Sequence, residues 1–281
     1  MKIFKFSVIF VCVAFCIIFI FIAGMLIKQN ITDLLTNDSV ASMPNNVKYK
    51  DSVRAYGVPV VTQKSNSGYA CIEMLSVFLK GKSSAATEEM MLEANNAGNS
   101  VSTNSSLFTE LQKQFPEYKV TRHKNLKNSE LLDKIYDALS KRMPVIFSYA
   151  EKKAGDNSKD TEEIWTVHYG VVVLMNIPGD RIMFNNPYGN TETYTIEDFL
   201  KATRFEIYEN MEFHLKLGFA MEIYAKNAIY ILEPKDDEAQ IPTETQTETE
   251  AITETATETE TKAVTEAETE SETEAETEEY S

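Results

Sequence analysis

Trp165-Thr166-Val167-His168-Tyr169-Gly170-Val171-Val172-Val173-Leu174-Met175 runs into Asn176-Ile177-Pro178-Gly179-Asp180 and then Arg181-Ile182-Met183-Phe184-Asn185-Asn186. The first run is apolar almost throughout and rich in β-branched and aromatic residues, the pattern of a strand buried on both faces. Pro178-Gly179-Asp180 is turn chemistry, so the second run returns antiparallel beside the first. Upstream the periods are helical. Gly68 to Leu79 predicts a helix opening near Cys71 and stopping at Gly81. Thr87-Glu88-Glu89 opens a second through Leu92, Ser106 to Phe115 forms a third closed by Pro116, and Ser129 to Lys141 carries Leu131, Leu132, Ile135, Tyr136 and Leu139 on one side. Tyr118–Thr121, Pro144–Tyr149, Thr191–Thr195, Ala220–Tyr224 and Ala228–Leu232 read as further strands, and Thr195 with Asp198 caps a helix through Lys201. Helices first and an antiparallel sheet after them is an α+β pattern.

The two ends of the chain are not part of that unit. Phe6 to Ile27 is an uncharged apolar run of 22 residues, which as a helix spans about 33 Å against a bilayer core of about 30 Å. No good small-x-small cleavage site follows it, so residues 1–28 read as an uncleaved signal anchor. Lys2, Lys5 and the N-terminal amine precede the run and only Lys28 follows closely, which places the N-terminus inside and the rest outside. Residues 29–56 are polar without lasting period and read as a flexible stalk. From residue 235 onward the chain is mostly Thr and Glu. Asp236 to Ser281 holds 17 acidic residues and one lysine, so the net charge of −16 belongs wholly to this tail, and residues 1–235 balance at 26 and 26. Such a segment cannot bury enough apolar surface to offset its entropy and is expected to be disordered. Residues 57–234 are then one folded domain, with no phosphate-cradling glycine loop, no basic patch and no metal-ligand cluster. Nucleotide, nucleic-acid and cofactor roles have no support.

Cys71 is the only cysteine after the apolar run. At the start of a helix, a thiol lies beside unpaired N–H groups and the positive end of the dipole, which favours thiolate. His168 stands at the polar start of the apolar strand. Asn186 ends the returning strand, where Pro187 stops it, so its amide can come back beside His168 and fix the imidazole. Gln63 precedes the helix and offers an amide donor. A nucleophile, a base, an orienting group and an oxyanion donor are the parts of cysteine hydrolase chemistry.

Val58-Pro59-Val60-Val61-Thr62-Gln63 before the cysteine helix, the strand led by His168, and Asn186-Pro187-Tyr188-Gly189 resemble cysteine peptidase family 39, the papain-like fold of double-glycine leader peptidases and their stand-alone relatives. The resemblance covers about residues 57–232. It implies Cys71 as nucleophile, His168 as base, Asn186 as its orienting partner and Gln63 as oxyanion donor. With the anchor and the lack of a metal-ligand cluster, the expectation is a cofactor-free peptidase acting on a peptide or protein at the outer face of the cell membrane. The chain departs from the family in having Ala70 and Ile72 beside the cysteine, where glycine is frequent, and eight positions from Gln63 to Cys71. Two other functions fit the same fold: a transglutaminase-like transfer to an amine, and a non-catalytic surface domain that binds peptide or wall material. No residue pattern names the substrate: the acidic stretch Asp156, Asp160, Glu162 and Glu163 before His168 reads either as a solvated loop or as a preference for basic peptides.

Overall fold

The computed structural model describes residues 2–96, 101–152, 165–206 and 211–235. The acidic tail from Asp236 and the acidic stretch at 156–163 lie outside the described residues. The protein is mixed α+β, built on an antiparallel sheet. In chain order the elements are α1 (Lys2–Thr36), β1 (Val53–Arg54), α2 (Ser67–Lys80), α3 (Glu88–Asn95), α4 (Asn104–Gln114), β2 (Tyr118–His123), α5 (Asn128–Ser140), β3 (Val145–Lys152), β4 (Trp165–Asn176), β5 (Arg181–Asn186), β6 (Asn190–Tyr194), α6 (Ile196–Thr203), α7 (Phe213–Ala220) and β7 (Ile229–Pro234). The sheet order is β2-β7-β3-β4-β5-β6, with β1 added alongside β4.

The apolar run at 165–176 is the central strand, and both of its faces are covered. Tyr149 of β3 pairs with His168, and Ser148 pairs with Tyr169. Because side chains alternate along a strand, His168 and Tyr169 look to opposite sides. On the His168 side, Phe147 meets Phe184 at 5.1 Å and Phe199 of α6 at 5.0 Å. On the Tyr169 side, the Tyr169 hydroxyl donates to the Ser102 carbonyl at 3.0 Å and the Tyr230 hydroxyl to Asn104 Oδ1 at 3.0 Å. This ties the start of α4 to the sheet. Helix α2 packs on the same side, burying Ala70, Cys71, Met74 and Leu75. Burial of each large apolar side chain of this kind contributes roughly 1.5–3 kcal/mol relative to exposure.

Three sequence expectations change. Residues 220–224 form no strand: α7 runs to Ala220 and a turn follows, so the sheet is closed by β7 alone. Its apolar residues pack as a helix end, where a short apolar run is ambiguous between the two periods. The segment 29–56 is not a free stalk. Thr36, Met43 and Tyr49 are buried, Asp38 accepts from the Ser129 N–H at 3.1 Å, and Val53 and Arg54 add a short strand to β4. Its polar residues are engaged by the domain, which a pattern of periods does not reveal. The third change concerns α2, whose first residue is Ser67. It lies one turn ahead of Cys71.

The apolar N-terminal run lies in α1, and the side chains of residues 2–11 fall outside the described set. Among the described residues no helix is long and apolar enough to cross a membrane.

Candidate active site

Asn66 caps α2: its side chain accepts from the Tyr69 N–H at 3.1 Å and from the Ser102 hydroxyl at 2.7 Å. The helix therefore begins at Ser67, and the first-turn N–H groups, with no carbonyl four residues back, point out of this end. Gly68 follows, and a Cβ there would come within 2.7 Å of Ser102 Cβ. Only glycine lets the 102 segment approach this closely.

Ser67 occupies a notch in the sheet. The ladder between β4 and β5 ends at the pair Val171–Asn185. Past it, the Tyr169 N–H meets the Ser67 hydroxyl oxygen at 3.3 Å instead of another strand. Tyr169 N is bonded to the His168 carbonyl carbon, so the serine hydroxyl lies against the backbone of His168.

Pro187, which stops β5, also turns the chain onto the segment before α2. The Gln63 N–H donates to the Pro187 carbonyl at 2.7 Å. The Asn185 amide donates to the carbonyls of Val58 at 3.1 Å and Pro59 at 3.2 Å. Gly189 has φ of +96°, and its Cα packs against Thr62, whose Oγ1 would stand 2.6 Å from any Cβ. Between Gln63 and Ser67, the backbone is held by Glu88 at the start of α3. This carboxylate is buried and accepts from the N–H groups of Lys64 at 2.7 Å, Ser65 at 2.8 Å and Asn66 at 2.7 Å. The backbone of Gln63 is thus held against Pro187 and the Ser67 hydroxyl against the Tyr169 N–H, at the end of the sheet where His168 meets Asn186.

The state of His168 follows from its partners. Asn186 Oδ1 lies 3.1 Å from His168 Nε2 and also accepts from the Tyr188 N–H at 3.0 Å. The other end of the same amide donates to Glu192 Oε1 at 2.6 Å. A carboxylate and a backbone N–H fix which way the amide points, so its oxygen faces the ring. Nε2 therefore carries the proton, and Nδ1 holds the free lone pair of a base. The Tyr188 ring stacks over the imidazole at 4.6 Å, and Tyr149 meets it edge-on at 5.5 Å. Burial pushes the imidazole down to about 4, with the Asn186 hydrogen bond opposing it.

That depression makes a stability prediction. Between its ordinary value of 6.5 and about 4, the unfolded chain takes up a proton at this position and the folded chain does not. Stability is therefore full above pH 6.5 and falls as the pH drops through that window, by about 3 kcal/mol in all. Urea denaturation at pH 7 and pH 4.5 reads it out. A His168→Gln variant should lose much of that difference; an unchanged difference would contradict the buried neutral ring.

Cys71 departs from the sequence expectation. It is the fifth residue of α2, fully buried, and close enough to Tyr169 to influence the ionisation of its phenol. Burial first and Glu88 second push its thiol well above the ordinary value. A helix-opening thiolate is thus replaced by a protonated core thiol, because the opening lies a turn earlier. The sequence reading passed over Ser67, Glu88 and Glu192. The signal for the first was present: Asn66 is a strong N-cap residue, three positions before the Tyr69 N–H that it accepts from.

Gln63 Oε1 is buried without a hydrogen-bond partner. Among the described residues no group of three or more His, Cys, Asp or Glu side chains is placed to hold a metal ion. No family model matches the chain, and no curated protein matches it either.

Proposed function

We propose that this protein is a papain-like hydrolase of peptide bonds in which Ser67, not a cysteine, is the nucleophile. The observation that carries this reading is the serine hydroxyl lying against the His168 backbone at the start of α2, with the ring's Nε2 held by Asn186. The family resemblance supports it. At Ser67 both departures noted for Cys71 disappear, since Gly68 follows directly and Gln63 precedes by four positions.

The chemistry follows from the proton positions. His168 Nδ1 takes the Ser67 hydroxyl proton as the oxygen bonds to the substrate carbonyl carbon. The oxyanion is received by the Ser67 N–H and by the Gln63 amide, which needs only a half-turn about its last bond to put Nε2 where its unpartnered oxygen stands. The C–N bond then breaks, and His168 returns the proton to the leaving amine. Water repeats the sequence on the acyl ester, freeing the carboxylate and restoring Ser67. The apolar run Phe6–Ile27 anchors the chain in a membrane with the domain on the outer side.

A second reading, a non-catalytic domain that binds peptide, is favoured by the full burial of Cys71, the one cysteine after the apolar run. Product analysis separates the readings. The full chain in detergent is incubated with a peptide mixture and the products are read by mass spectrometry. We expect new termini from the natural chain and none from His168→Ala. Isopeptide bonds would point to amine transfer, and an unchanged mixture with retained binding to the second reading.

A further inference from the structure

We propose that Glu192 is a positioning residue for the base: its carboxylate locks the Asn186 amide toward His168 and places a negative charge behind it. The inference rests on reading His168 as the base of the proposed reaction. Three observations support it. Glu192 Oε1 accepts from Asn186 Nδ2 at 2.6 Å and from Asn190 Nδ2 at 3.3 Å. The Asn186 amide is fully buried, so its two ends have no water to turn toward. Glu192 sits on β6 opposite Phe184, on the same face of the sheet as Asn186 and His168. The chain Glu192–Asn186–His168 is therefore continuous through one amide.

An amide oxygen offsets only part of the positive charge that the ring gains when it takes a proton, since the Asn186 hydrogen bond opposes burial without cancelling it. A carboxylate one group further away adds to this, because a partly buried charge is weakly screened. This matters for a ring as buried as His168. Among the described residues, the titratable groups facing the chain are Tyr149 and Glu151 from β3, Tyr188 from the turn after β5, and Tyr194 from β6. Glu151 is itself held toward its neutral form by burial, which leaves Glu192 as the carboxylate engaged with the amide.

Glu192→Gln keeps the shape and removes the charge. We expect the plateau of kcat to fall about tenfold, with KM within about twofold, because a weaker base removes less proton in the transition state. At the same time, the acid limb of kcat/KM should move to lower pH, since the ring becomes harder to protonate. Slower turnover combined with activity reaching further into acid is not what loosened packing produces. NMR titration of the His168 ring gives a readout independent of turnover and should show the same downward shift. Glu192→Asp, which keeps the charge, should restore the natural ring ionisation. A kcat loss with neither the acid limb nor the ring ionisation moved would overturn the proposal, as would an unaffected kcat. If the ring ionisation moves while the natural chain cleaves nothing, the role of Glu192 stands and the proposed function fails.

Discussion

Replacing Ser67 with alanine is expected to remove the proposed peptide cleavage almost entirely, by about 10⁴-fold or more, since in the proposed reaction the bond-forming atom is gone and only oxyanion and binding effects remain. Cys71→Ala should leave turnover within a few fold. The contrast follows from position. Ser67 opens α2, is 7% exposed and lies against the His168 backbone, while Cys71 is one turn deeper with no exposed surface. Cys71→Ala removes a small buried side chain and costs stability, on the order of 1–2 kcal/mol for a small cavity. It leaves the base and its partners untouched. Both variants are folded by this account, so circular dichroism alongside the assay keeps the comparison clean. Loss of turnover in Cys71→Ala with full turnover in Ser67→Ala would reverse the assignment.

The second large effect concerns the thiol itself. In the native protein, Cys71 should react with iodoacetamide slower than a free model thiol by about 10⁴-fold or more. Reaction requires the core to open, and core openings cost free energies approaching that of global unfolding, typically 5–15 kcal/mol. Burial also holds the group as thiol, which removes the reactive species. In urea the same residue should react at the ordinary rate. A thiol at the mouth of α2 would behave oppositely, and Ser67→Cys creates that case: rapid alkylation of the new side chain, with Cys71 still silent. Fast modification of Cys71 in the folded natural chain would mean that α2 is not packed as described.

How far the sequence carried the fold can be read from particular residues. The strand at 165–175 and its return through Pro178 to Asn186 were legible because their signals are local: β-branched runs, a turn and a proline stop. Those signals also placed Asn186 beside His168, as found at 3.1 Å. The helix face of α5 was legible for the same reason. The start of α2 lies one turn earlier than the expectation, because the helix is set by the Asn66 cap and not by the cysteine. Residues 37–54 were misread because their order comes from distant partners, such as Ser129 for Asp38 and Met175 for Val53. Glu88 and Glu192 could not be found at all. Each is an ordinary surface-type residue in sequence, and its role exists only once the 64–66 backbone or the Asn186 amide is brought to it.

The measurement that bears most directly on the site is covalent trapping. The full chain is treated at pH 7 with a peptidyl fluorophosphonate, and the modified residue is located by peptide mapping. The account predicts a single adduct on Ser67, absent in His168→Ala. An unmodified Ser67 in the folded, treated chain, or an adduct that persists without His168, would contradict it.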